Sequence, residues 1–215
     1  AFIEKMVAKY PKLLATLPSK ESGVRYRLEG YLFPATYGYG KDSKMEDLVD
    51  QMLAAMDQNL SAYYDTMEAK NIDVNEVLTL ASLIEKEGAT DKDRKDIASV
   101  FYNRLNQDMP LQSNIAILYA QGQLGKKTTL KEDATIDTNI DSPYNIYKNT
   151  GLMPGPVDSP GVSAIEAAVN PSKTDYLYFV ANVETGEVYF AKTYEEHTKN
   201  VEEHVNSKLT ESSSN

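Results

Sequence analysis

The segment that most constrains this chain is Val77-Leu78-Thr79-Leu80-Ala81-Ser82-Leu83-Ile84, which is almost wholly apolar and runs into Glu85-Lys86-Glu87 and then Gly88. Asp73 and Glu76 stand three apart just before it, the spacing of a capping box that opens a helix. A helix that is apolar on nearly all sides is stable only when surrounded, so the rest of the chain has to fold around this one. Gly88 supplies a natural C-terminal stop. At about 100° per residue, Val77, Leu80, Leu83 and Ile84 share one arc, Glu87 falls within it, and Glu85 lies on its flank. Positions two apart point about 200° away from each other, so only one of the two carboxylates can face a given cleft.

Around that helix the periodicity predicts a mostly helical α+β fold. A helical lead-in over 2–14 is interrupted by Pro11, and residues 17–44 read as turns around a short extended piece. One long helix is predicted over 44–70, a third from the Thr90-Asp91-Lys92-Asp93 start to Leu105, and short helices over 110–122 and 163–169. Residues 125–161 are rich in loop signals. A β-hairpin is predicted over 176–190, turning at Glu184-Thr185-Gly186, and a final helix over 194–209.

Composition excludes several kinds of chemistry. The chain has 215 residues, 41% hydrophobic and 25% charged, enough for one domain with a full core or one domain with a small appendage. A net charge of −10 repels polyanions and argues against nucleic acid as a partner. The absence of cysteine removes thiol nucleophiles, disulfides and thiolate metal sites together. His197 and His204 sit seven apart on the last predicted helix, about 10 Å along its axis and too far for one ion, and no HExxH spacing occurs, so no metal site is expected. No stretch reaches the roughly 18 to 20 apolar residues of a transmembrane helix, and the chain opens already in helical periodicity, so an anchor is expected to lie outside it. The fifteen tyrosines, with no tryptophan, suit either half-buried packing or contact with sugar or peptide.

The candidate chemistry lies at the end of the apolar helix. A carboxyl among apolar neighbours is disfavoured in its charged form and can hold a proton for delivery to a leaving oxygen, which describes a general acid. The bland alternative is that Glu85, Lys86 and Glu87 form a solvated helix terminus.

The motifs LTLASLIEKEG (78–88), ASVFYNRL (98–105), MPLQS (109–113), SPYNIYKNTGLMPGPVDSPG (142–161) and NPSKTDYLYFVA (170–181) resemble, in order and spacing, the MltG (YceG-like) endolytic lytic transglycosylase family, and LEGYLFPATY (28–37) resembles the segment leading into its catalytic domain. The resemblance implies that Glu87 is the catalytic acid/base of an enzyme that cleaves the β-1,4 bond between N-acetylmuramic acid and N-acetylglucosamine of nascent peptidoglycan strands, leaving 1,6-anhydro ends. It implies a lysozyme-like catalytic domain over 41–209, preceded over 1–40 by the end of a LysM-like module and followed by a disordered tail over 210–215. Gln112, Ser113, Tyr144, Asn145 and Tyr147 are expected to bind substrate, while Glu85, Asn103 and Arg104 support the acid, Arg104 by pairing with Glu85 or Glu87. No cofactor is expected. Expected partners are glycan strands, peptidoglycan synthases and division or elongation proteins, on the extracytoplasmic face of the bacterial membrane, with an N-terminal transmembrane anchor in the full-length protein. The sequence departs from the family pattern at Asn114 and Ala35, where aspartates are usual, and at Val188, where a histidine is common. A non-catalytic glycan-binding module and a scaffold for cell-wall synthases are the rival readings.

Overall fold

A computed structural model describes residues 1–125, 135–182 and 185–206. The fold is α+β and mostly helical, and its described strands form one two-stranded antiparallel sheet. The chain divides into two compact units, Ala1–Glu85 with Pro154–Val169 and Lys86–Met153 with Asn170–Asn215. Among the described residues no helix is long and apolar enough to cross a membrane.

The first unit holds α1 (Phe2–Lys9), α2 (Met45–Leu60), α3 (Tyr64–Lys70), most of α4 (Val74–Glu87) and α7 (Val162–Val169). The capping box of α4 forms as the spacing predicts: the Glu76 backbone N–H donates to Asp73 Oδ1 at 2.9 Å, and the Asp73 N–H donates to Glu76 Oε2 at 2.8 Å. Every residue from Val77 to Ile84 is buried. Buried polar groups need partners, and Ser82 has two: its hydroxyl donates to the Thr79 carbonyl at 2.8 Å and accepts from the Val157 N–H at 3.0 Å.

The single helix predicted over 44–70 is instead two helices, parted at residues 61–63. The Ser61 hydroxyl turns back to the Gln58 carbonyl at 2.7 Å, an alternative partner that competes with the helical ladder. The apolar periodicity survives the break because Leu53, Met56, Leu60 and Met67 are all buried in this unit. The break also aims two hydroxyls, Tyr63 at Glu166 Oε2 and Tyr64 at Asp57 Oδ1, each 2.6 Å away. The bond to the Glu166 carboxylate, with burial, pushes the Tyr63 phenol up to about 12.

Where a short extended piece is expected, residues 28–31 form a turn, with the Tyr31 N–H bonded to the Leu28 carbonyl at 3.1 Å. Gly30 is required twice over: its φ is +79°, and a Cβ there would stand 2.3 Å from Pro156 Cβ. The turn drives Tyr31 into the core, where it is fully buried and donates to Asn75 Oδ1 at 3.2 Å.

The second unit holds the end of α4, then α5 (Asp91–Leu105), α6 (Asn114–Ala120), β1 (Tyr178–Ala181), β2 (Val188–Ala191) and α8 (Tyr194–Val201), whose last turn widens into a π-turn over Glu202–Asn206. Residues 207–209 of the predicted last helix and the predicted tail lie outside the described residues. Thr90 caps α5 through a full capping box with Asp93. The helix expected from residue 110 begins only at Asn114, because Gln112 takes a left-handed φ of +58° and Ser113 is the extended N-cap. The strands pair in the register Tyr178↔Ala191 to Ala181↔Val188, and Phe179 meets Phe101 of α5 edge to face at 5.8 Å.

Gly88 ends α4 for a different reason than a left-handed cap. A Cβ there would stand 2.6 Å from Arg94 Cγ and 3.1 Å from the Arg94 backbone, so glycine admits the first turn of α5.

Candidate functional site

A cleft of about 930 Å³ opens in the second unit, lined by Glu87 at the end of α4, by Gln112, Asn114 and Ile115 at the start of α6, by Tyr147, by Phe179 to Asn182 of the hairpin, and by Tyr194 and His197 of α8. Glu87 is half-buried. The Ser113 hydroxyl donates to Glu87 Oε1 at 2.7 Å, and Ser113 Oγ accepts the Ile115 N–H at 3.2 Å as the N-cap of α6. Ser113 is only 2% exposed, so its hydroxyl faces the carboxylate rather than the open cleft. Its geometry is that of an anchor for Glu87, not of the substrate contact expected from the motif.

The two carboxylates at the end of α4 have separate partners. Glu85 Oε2 accepts the N–H of Gly161 at 3.0 Å, at the start of α7 in the first unit. There the helix dipole favours a negative charge.

Arg104 is 6% exposed and reaches four oxygens. Its Nε donates to the Leu177 carbonyl at 2.6 Å, and its Nη1 donates to the carbonyls of Pro110 at 3.0 Å and Leu111 at 2.9 Å and to Gln112 Oε1 at 3.2 Å. The expected pairing with Glu85 or Glu87 is replaced by these bonds, because the 109–113 turn offers a cluster of carbonyls that a rigid fork of donors satisfies at once. Burial pulls the guanidinium below its ordinary value, and it lies 5.2 Å from the ring centre of Tyr178. Asn103 acts alongside it, its amide donating to the carbonyls of Thr174 and Tyr176 at 2.9 Å each. Both residues therefore hold the wall of the cleft rather than the acid itself.

Gln112 is exposed and lines the cleft. A guanidinium only donates, so the bond from Arg104 fixes the carboxamide oxygen inward and leaves the NH₂ end for the cleft. Its left-handed φ is uncommon for a residue with a full side chain and marks local strain beside the acid.

The three residues expected from SPYNIY part company. Tyr147 lines the cleft and donates to Asn114 Oδ1 at 2.6 Å. An amide oxygen accepts as a carboxylate does, so the substitution at 114 keeps this bond. Tyr144 is instead 4% exposed and packs on Tyr119 at 4.9 Å. Asn145 is 1% exposed, with its amide bonded to the Thr138 and Ile140 carbonyls at 3.0 and 2.7 Å. These two build the loop behind Tyr147.

The sequence spacing argues only against a metal at His197 and gives Tyr194 no role. Both line the cleft. His197 stacks on Tyr178 at 5.4 Å and 23°, and burial first, then the charge of Arg104, hold it below its usual value of 6.5. Only the approach of α8 to the hairpin, a tertiary fact, brings them here. Val188, where the family commonly has histidine, is half-buried opposite Ala181 in the sheet.

Residues 3–203 match the model of the YceG-like family. The chain belongs to that family. A protein of Streptococcus pneumoniae serotype 2, named endolytic murein transglycosylase, is 67% identical over 208 residues, covering 97% of this chain and 38% of that protein. A protein of the same name from Bacillus subtilis is 44% identical, covering 96% of this chain and 56% of that one. The chain thus spans 38% and 56% of the length of these two relatives. A crystal structure of a YceG-like protein from Listeria monocytogenes, 46% identical, superposes with a TM-score of 0.80 over 92% of this chain and 63% of that one.

Proposed function

We propose that this chain carries the catalytic region of an endolytic murein transglycosylase, with Glu87 as its single acid/base. The observation that carries the reading is a half-buried carboxylate on the wall of a large cleft, one oxygen held by a buried serine hydroxyl. The relatives' shared name gives the substrate, peptidoglycan.

The protonated Glu87 donates to the oxygen bridging N-acetylmuramic acid and N-acetylglucosamine, and the bond to C1 breaks. The resulting carboxylate takes the proton of the muramic acid 6-hydroxyl, whose oxygen closes on C1 to give the 1,6-anhydro ring. The nucleophile arrives within the substrate, so one carboxylate suffices where hydrolytic glycosidases need two at a set separation. No step calls on a cofactor. Ser113 orients the carboxylate through both steps, and Gln112 and Tyr147 offer polar groups to the strand.

The finer architecture belongs to the same proposal: a lysozyme-like catalytic domain over 41–209, with 1–40 as the end of a LysM-like module. In the full-length protein an N-terminal anchor would hold the cleft outside the membrane, beside the synthases and division or elongation proteins that make new strands.

The test is product analysis. Protein incubated with uncrosslinked glycan strands should release 1,6-anhydromuramic ends, and Glu87→Gln should abolish release while leaving the thermal unfolding midpoint within a few degrees. Ordinary reducing ends would make it a hydrolase. Strand binding without any cleavage would make it a binding module.

A further inference from the structure

Tyr194 is the most exposed large apolar side chain among the described residues, at 69%, yet it lies on the wall of the cleft that holds Glu87. An aromatic ring left in water inside a cleft forgoes the gain from burying its face, a cost that a ligand can remove. The ring is held in place. Thr193 and Glu196 form a capping box that fixes the start of α8, so Tyr194 stands at its first position. Its ring meets Tyr178 edge on at 6.0 Å and lies 6.3 Å from His197.

The surroundings select the ligand. Burial and the charge of Arg104 favour the neutral ring of His197, and Arg104 itself is 6% exposed, with its Nε and Nη1 bound to the Leu177, Pro110 and Leu111 carbonyls and to Gln112 Oε1. An aromatic face with uncharged polar edges matches a pyranose, which has C–H groups on one face and hydroxyls around its rim.

We propose that Tyr194, backed by Tyr178 and His197, is a stacking platform for a sugar ring of the glycan strand, a subsite separate from the bond that is cut. The proposal rests on the transglycosylase reading for the identity of the strand, and it adds a binding role for the start of α8. Tyr194 sets affinity for the strand and takes no part in proton transfer.

Binding measured in the Glu87→Gln background, where strands stay intact, tests the platform apart from catalysis. The probe is uncrosslinked glycan freed of its stem peptides. Tyr194→Ala should weaken binding about three- to tenfold, the range of a single aromatic contact, while Tyr194→Phe stays within about twofold. In the otherwise wild-type enzyme, Tyr194→Ala should raise KM and leave kcat nearly unchanged. Equal affinity for Tyr194→Ala and the parent overturns the platform. So does a loss as large in Tyr194→Phe, which would assign the contact to the hydroxyl, or a loss seen only with strands that keep their peptides. If the wild type releases no anhydro ends while Tyr194→Ala still weakens binding, the platform stands and the transglycosylase reading falls.

Discussion

Ser113 uses one hydroxyl for two tasks, capping α6 and holding Glu87. Replacing it with alanine should cost about 1 kcal/mol through the lost cap. It should also cost activity about ten- to a hundredfold, because a carboxylate free to rotate spends less time in line with the scissile oxygen. Ser113→Thr keeps the hydroxyl, so it should recover most of the stability and part of the rate; melting curves and anhydro-end release on the three proteins check both. The motifs that resemble the family made Glu87, Gln112, Ser113 and Tyr147 legible as a group, although only Gln112 and Ser113 are neighbours in the chain. They could not distinguish a polar side chain that faces a groove from one that satisfies carbonyls behind it. Asn145 is of the second kind, while Tyr144 packs against Tyr119, and only the path of the 138–147 loop reveals either.

At the scale of elements, Arg104 ties three pieces of chain together: α5 on which it sits, the turn before α6 and the approach to β1. Lysine at this position has one ammonium where arginine has a fork, so it cannot bridge the Leu177 carbonyl and the 110–112 turn. Arg104→Lys should therefore lower stability by about 2 kcal/mol or more, and amide exchange should rise at residues 110–112 and 177–179 ahead of the rest of the chain. In the first unit Gly30→Ala should be among the most damaging single changes, about 3 kcal/mol or more by chemical denaturation, since strain and overlap with Pro156 add. The buried helix α4 and its cap were plain in the sequence because an apolar run and a capping box are local signals. The break between α2 and α3 was not, because a hydroxyl that turns back on the helix changes the backbone without disturbing the 3.6-residue apolar pattern. The glycine after Glu87 was read correctly as a stop, although the cause is the close approach of Arg94.

For the molecule as a whole, acid should weaken the folded state through His197. Its folded pKa lies below the usual 6.5, so the unfolded chain takes up this proton first as pH falls. The stability that comes from keeping the ring neutral is present above about 6.5 and is lost progressively below it. Melting temperatures between pH 8 and 5 should fall for the parent and fall less steeply for His197→Phe, which keeps the ring against Tyr178. An unchanged slope would mean that carboxylates elsewhere govern the acid response.

The chain contains no tryptophan. Indole could stand where the open phenol ring of Tyr194 now does, and the Tyr194→Trp protein would carry a single tryptophan on the wall of the cleft, excited selectively beyond the absorption of the tyrosines. Its emission would shift to the blue as a glycan covered it, giving a spectroscopic readout of strand loading in real time, without radiolabel or chromatography.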